Sequence, residues 1–104
     1  MTPYTVTLQP AAIADLIEIY EYIAEKTGYP QAAWDYVSSL EARCEGLQQV
    51  PIRGRNRDDL REGLRILPLD KKAVAAFEVD EAERAVRVLN IFYGGQDYEA
   101  LLGE

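Results

Sequence analysis

The sequence contains no histidine and a single cysteine, Cys44. Histidine is the commonest general base near neutral pH and the commonest zinc ligand, so its absence removes Ser-His-Asp and Cys-His mechanisms and most zinc sites. One cysteine cannot form an internal disulfide, and Cys44 occupies an apolar position of a predicted helix, which favours a buried thiol over a nucleophile. We therefore predict no cofactor, no metal site and no catalytic residue.

Long apolar runs are also missing, since the longest covers only a few residues and a bilayer requires roughly 20. The N-terminus lacks a basic region followed by an apolar one. These features predict a cytoplasmic protein that makes no membrane contact. The length of 104 residues, with 48% hydrophobic and 28% charged residues, is typical of one globular domain, which we place over residues 1–104.

Positive charge is scarce, with 11 basic residues against 18 acidic ones and a net charge of -7. Phosphate backbones repel such a chain, so any nucleic-acid contact must be local. The exception is residues 51–72, where seven basic and four acidic residues give a net charge of +3. This segment either binds an anionic partner or neutralises acidic helix faces of the same molecule. Its basic members are Arg53, Arg55, Arg57, Arg61, Arg65, Lys71 and Lys72.

The first half of the chain predicts one strand and a helical hairpin. Residues 4–8 alternate β-branched and aromatic types between two prolines, which indicates a strand. Residues 10–27 then place Ile13, Leu16, Ile17, Tyr20, Ile23 and Ala24 on one helical stripe, and Asp15 on the side expected to be solvated. A glycine at 28 and a proline at 30 predict a turn into a second helix that Pro51 stops.

The second half predicts a loop and three strands. Residues 51–59 have no periodicity, whereas 64–67, 73–79 and 85–93 are β-like and are joined by turns at 68–71 and 80–83. We expect these strands to form an antiparallel meander. In the last one, alternation assigns Val86, Val88, Asn90 and Phe92 to one face and Arg87, Leu89, Ile91 and Tyr93 to the other. With helices on one side, the second face would be partly apolar and open, as interaction surfaces are.

Several local patterns, taken in this order, resemble the RelE/ParE superfamily, and most closely its ParE branch. The matching pieces are Leu8 with Pro10-Ala11, Asp15-Leu16 ahead of residues 19–24, Leu47 and Pro51 with Gly54, Gly63-Leu64-Arg65, and the strand 86–92 followed by residues 93–98. The resemblance implies an α+β fold of order β-α-α-β-β-β, with a helical hairpin packed on a small, mainly antiparallel sheet.

The resemblance further implies the toxin of a type II toxin-antitoxin system. Such a toxin forms a hetero-oligomer with a cognate ParD-like ribbon-helix-helix antitoxin, which carries the DNA binding. ParE-like members are understood to inhibit DNA gyrase by binding it, whereas RelE-like members cut mRNA on the ribosome with a basic residue set. Of that set only Arg65 matches, because the other positions read Leu67, Val74 and Gln96. Gyrase inhibition is favoured, with an RNase or a non-toxic interaction module as alternatives.

Candidate binding residues follow from the basic segment, the last strand and the tail. For the antitoxin, apolar anchors should supply affinity and arginines should supply orientation and association rate. The antitoxin-binding candidates are Arg57, Arg61, Arg65, Arg87, Phe92 and Tyr93. The candidates for binding the target are Arg65, Tyr98, Leu101 and Leu102.

Overall fold

The computed structural model describes residues 3–96 and 98–102 of the chain. Its elements, in order, are β1 (Thr5–Leu8), α1 (Pro10–Thr27), α2 (Pro30–Glu45), a 3-10 turn (Gly46–Gln48), β2 (Arg55–Asn56), β3 (Leu64–Pro68), β4 (Ala73–Asp80), β5 (Ala85–Tyr93) and α3 (Tyr98–Leu102). The predicted α+β order is confirmed. The two-residue strand β2 lies inside the predicted loop and was missed, because two residues are too few to show a period.

Proline and glycine set the bounds of the helical hairpin. Pro10 and Pro30 each stand at the first helical position, where the missing N–H costs no hydrogen bond. α1 ends at Gly28, which adopts φ 75° and donates its N–H to the Ala24 carbonyl. The predicted helix 10–27 is confirmed at both ends. Among the described residues, no helix combines the length and apolar character that a membrane span requires.

The five strands form one sheet in the order β1-β5-β4-β3-β2. β1 runs parallel to β5, and the remaining neighbours are antiparallel. The predicted meander of the last three strands is confirmed. Because β1 has four residues and β5 has nine, β1 pairs only with Ala85 to Val88. The rest of β5, residues 89–93, therefore has β4 as its only strand neighbour in the described part of the chain.

The main core lies between the helices and one face of the sheet, here called the helix face. Its buried members are Ala12, Leu16, Ile19, Val37, Leu40, Cys44, Leu47, Leu67, Leu69, Ala73, Ala75, Phe77, Val86, Val88 and Ile91. The opposite face, here called the far face, carries a second cluster of four buried residues, Leu64, Ile66, Ala76 and Phe92. Apolar side chains are thus buried on both faces of the sheet, and this burial stabilises the fold.

The predicted stripe of α1 is wrong for Ile13 and Ile17. Ala12, Leu16 and Ile19 form the buried side of the helix, whereas Ile13 is 48% exposed and Ile17 is 54% exposed. Ala12 and Ile13 are both apolar and both fit a helical period. The hydrophobic pattern alone therefore does not decide which side of α1 packs against the sheet.

The predicted alternation of β5 is also wrong beyond Val88. Phe77 of β4 is opposite Val88, and Ala76 is opposite Asn90, so Leu89 is an extra residue that forms a β-bulge. The bulge reverses the alternation. Val86 and Val88 lie on the helix face as a pair, but they are followed there by Ile91 and Tyr93 rather than by Asn90 and Phe92.

Candidate partner-binding surfaces

The far face is apolar, as predicted, but it is less open than predicted. Phe92 is only 7% exposed, and Leu60 and Leu102 pack against its cluster. Leu60 follows β2, and Leu102 belongs to the tail helix α3. Other parts of the same chain therefore cover much of the far face, which was predicted to be open for partner binding.

Arg57 connects the tail helix α3 to the end of β2, which it directly follows. Although charged, it is 6% exposed, and its guanidinium lies 2.8 Å from a carboxylate oxygen of Asp59 and 2.8 Å from one of Glu99 in α3. The hydrogen bonds that Arg57 donates to Asp59 and then to Glu99 raise the pKa of its guanidinium above the ordinary value. The same contact lowers the pKa of Asp59. Two carboxylates offset the burial of one guanidinium, which is the arrangement that a buried charge requires.

The other predicted arginines differ in their surroundings. Arg87 lies on β5 between Glu78 at 3.7 Å and Asp80 at 3.1 Å, and is half-buried. Its charge is thus neutralised within the sheet. Arg61 is exposed, and within residues 3–96 and 98–102 its side chain has no ion pair. Arg61 is the predicted arginine whose charge remains available to a partner.

Arg65 holds the preceding loop in place. Its Nε donates to the carbonyl of Arg53 at 2.9 Å, and its Nη2 donates to the carbonyl of Gly54 at 3.3 Å. Arg65 is opposite Phe77 in the register, and Phe77 belongs to the helix-face core. Two backbone carbonyls therefore engage the guanidinium on the side of the sheet away from the far-face cluster.

Tyr93 lies on the opposite side of the sheet from Phe92. Its ring makes edge-on contacts with Tyr22 of α1 at 6.1 Å and with Tyr36 of α2 at 5.8 Å between centroids. Tyr36 donates its hydroxyl to Asp70 at 2.8 Å, and burial followed by that contact raises the tyrosine pKa. The predicted anchors Phe92 and Tyr93 therefore belong to two separate surfaces.

The structure does not bring the predicted residues together at one site. Leu102 of α3 packs against the far-face cluster that contains Phe92, and Arg57 pairs with Glu99 of the same helix. Leu101 of α3 is 58% exposed. Tyr93 joins a tyrosine cluster on the helix face, and Arg65 holds a loop. The side chain of Tyr98 lies outside the described part of the structure.

Sequence reasoning missed a cleft between α1 and the end of β5. The cleft has a volume of about 330 Å³ and is lined by Asp15, Glu18, Ile19, Tyr22, Ile91, Tyr93, Gly94 and Gln96. Asp15, expected to be solvated, is half-buried and accepts hydrogen bonds from the Ile91 N–H at 2.8 Å and from the Asn90 amide at 3.2 Å. Hydrophobic periodicity does not distinguish this carboxylate from the exposed acids of α1, because its partners lie in a strand 75 residues away. Asp15 is singled out only as one of the residues that carry the family resemblance.

Of the three positions where the RelE-like basic set is replaced, Val74 and Gln96 line one small cavity, whereas Leu67 lies on the other face of the sheet. Leu67 is buried in the helix-face core, Val74 packs on the far face, and Gln96 accepts a hydrogen bond from the Tyr93 N–H at 3.0 Å. None of these side chains carries a charge or an acidic proton suited to phosphodiester chemistry.

Comparison with known families supplies the classification. The model of the ParE toxin of type II toxin-antitoxin systems, parDE, matches residues 6–98, which is most of the chain. The chain belongs to the ParE toxin family. The predicted superfamily and branch are both confirmed.

Solved structures agree with this assignment to the ParE toxins. A chain of the chromosomal ParDE toxin-antitoxin system from P. aeruginosa is 27% identical, with a TM-score of 0.74, and the match covers 88% of this chain and 96% of that one. A chain of the RelBE2 toxin-antitoxin complex from Mycobacterium tuberculosis is 22% identical, with a TM-score of 0.60, and covers 89% and 93%. At that identity the second likeness shows a shared fold only. No curated protein matches the sequence at a significant level.

Proposed function

We propose that this ParE-family chain is neutralised by a ParD-like ribbon-helix-helix antitoxin and is toxic because it binds and inhibits DNA gyrase. Membership of the family supports a toxin, and the likeness to a chain from a ParDE system supports a ParD-like partner. The net charge of -7 supports DNA contact through the antitoxin rather than through the toxin.

The observation that best supports action by binding rather than by catalysis is that the Arg65 guanidinium is engaged by backbone carbonyls. Arg65 is the one residue that matches the basic set of RelE-like nucleases, and its guanidinium is held by the carbonyls of Arg53 and Gly54. A catalytic arginine must be directed at the charge that develops on the phosphate. Loss of a positioned acid or base alone lowers a rate by roughly a hundred- to ten-thousandfold. Inhibition by binding requires a stable surface and none of these groups.

Two surfaces of the ParE chain are proposed to share the binding. Arg61 is exposed and directly follows Leu60, which packs against the far-face cluster, so we assign Arg61 to antitoxin orientation. The exposed Leu101 of α3 is assigned to the target. Arg57, Arg65 and Arg87 are given a supporting role, because each is already bound within the chain.

The proposal is tested by induced expression in bacteria, with plasmid topology and mRNA integrity measured in the same cultures. Expression alone should stop growth and change plasmid supercoiling, and co-expression of the cognate ParD-like antitoxin should restore both. Growth arrest with cleaved mRNA and normal supercoiling would support an RNase instead. Unimpaired growth on expression alone, with the toxin shown to be soluble and abundant, would leave a non-toxic interaction module.

A further inference from the structure

The cleft between α1 and β5 lies beside residues 89–93 of β5, with which β1 does not pair. One wall consists of Asp15, Glu18 and Tyr22, which recur at helical spacing along α1. The other wall is the end of β5 and the glycine turn after it, and Ile19 and Ile91 form the apolar floor. The volume of about 330 Å³ is at the lower end of the range of ligand pockets, which suits one long side chain.

Side chains already accept hydrogen bonds from two backbone N–H groups of this strand edge. The Ile91 N–H is bound by Asp15 at 2.8 Å, and the Tyr93 N–H is bound by Gln96 at 3.0 Å. A partner strand would have to displace both acceptors before it could pair with the edge. An occupant that inserts a side chain into the cleft leaves both hydrogen bonds in place, so side-chain insertion is the less costly mode of binding.

The lining of the cleft is complementary to a cation on an apolar stem. Both hydrogen bonds to Asp15 end on Oδ2, and among the described residues the Glu18 carboxylate has no hydrogen bond or ion pair. The Tyr22 ring already attracts one cation, because the ammonium of Lys26 lies 5.4 Å from its centroid and donates to its hydroxyl at 3.2 Å. The Tyr93 ring extends the same aromatic wall.

We propose that this cleft receives an arginine side chain of the antitoxin, an inference that rests on the proposed function. The guanidinium pairs with Glu18, stacks against the tyrosine wall, and its methylene stem covers Ile19 and Ile91. Arginine fits better than lysine because its planar head can stack on a ring and contact a carboxylate at the same time. The acidic balance of the whole chain favours a basic partner segment here.

The chemistry of the cleft is tested without the antitoxin by an NMR titration of the full chain. The probe is N-acetyl-arginine-N-methylamide, and the control is the matching citrulline compound, which has the same shape and no charge. The arginine probe should shift the amide resonances of Ile91, Tyr93 and Gly94, and the citrulline compound should shift them much less. Equal shifts from both compounds, or no shift from either at the highest soluble concentration, would overturn the proposal.

A pair of variants connects the cleft to the antitoxin. Glu18→Gln should weaken binding of the arginine probe and of the antitoxin by about two- to fivefold, the loss of one partly exposed charge contact. Glu21→Gln, on the same helix but outside the cleft, should change neither affinity. If wild type binds the antitoxin and Glu18→Gln binds it equally well, the inference is wrong and the proposed function stands. If wild type does not bind the antitoxin at all, the proposed function and the occupant named here are both wrong.

Discussion

The carboxylate of Asp15 in α1 accepts a 2.8 Å hydrogen bond from the backbone N–H of Ile91 in β5. The bond joins the first helix to the last strand immediately after the β-bulge at Leu89, where β1 no longer pairs with β5. A strand edge with unbound N–H groups is prone to pairing with other chains, and a bound carboxylate reduces that tendency. Asp15 and Ile91 both line the cleft between α1 and the end of β5.

Removal of this carboxylate should destabilise the fold. Asp15→Ala leaves the backbone N–H of Ile91 without an acceptor, and Ile91 is almost fully buried. An unsatisfied buried N–H lowers the free energy of unfolding by about 1–3 kcal/mol. Chemical denaturation measures the change, and Asp35→Ala, at an exposed position of α2, is the control. A loss of stability no greater than that of the control would show that water replaces the carboxylate without cost.

Gly54 should tolerate no side chain, because a Cβ there would collide with the backbone carbonyl of Ile66. Gly63 has a similar positive φ, 81° against 73°, but open space around it. Gly63→Ala should therefore cost about 1–2 kcal/mol, the penalty of the left-handed conformation. Gly54→Ala should cost clearly more, because β3 must move as well. Equal melting temperatures for the two variants would contradict the close approach of the loop to β3.

The Cys44 thiol should react slowly in the native protein. Burial raises its pKa to about 12 from 9.0, so at pH 8 the thiolate is on the order of a thousandfold rarer than for an exposed thiol. The raised pKa also contributes stability that is present below pH 9 and is lost as the pH rises towards 12. Alkylation by iodoacetamide measures the reactivity. Alkylation as fast as in denatured protein would show that the thiol is accessible.

The contact between Arg57 and Glu99 should hold the tail helix on the far face. Glu99→Gln removes one of the two carboxylates of Arg57, whereas Asp59 still neutralises its charge. The amides of α3 should then exchange with solvent faster, and the amides of β4 and β5 should be unaffected. Hydrogen exchange followed by mass spectrometry distinguishes the two regions. Unchanged exchange in α3 would mean that Leu102 packing alone fixes the tail.

The sequence was sufficient to predict the elements with strong local signals. Pro10, Gly28 and Pro30 fix the hairpin through backbone conformation, and the three meander strands follow from β-branched runs between turns. The parallel pairing of β1 with β5 was not predicted from periodicity, because it joins residues about 80 positions apart. The antiparallel meander follows from the strand pattern, and the family resemblance implied that the sheet as a whole is mainly antiparallel.

The binding surfaces were less predictable, because they depend on contacts between distant residues. One extra residue at Leu89 reverses the faces of the end of β5, and alternation gives no warning of a bulge. Arg57 and Arg61 are indistinguishable in a basic segment, yet one is buried between two carboxylates and the other is exposed. The roles of Asp15 and Gln96 at the strand edge follow from the same bulge and from the short length of β1.

We propose that this ParE-family chain acts by binding gyrase rather than by cleaving RNA. The most direct measurement adds purified toxin to gyrase with relaxed plasmid and ATP, beside a ribosome-programmed mRNA reaction, each with and without the antitoxin. Supercoiling should be lost, the antitoxin should restore it, and the mRNA should remain intact. Cleaved mRNA with normal gyrase turnover would contradict the claim, and so would the absence of an effect in both reactions.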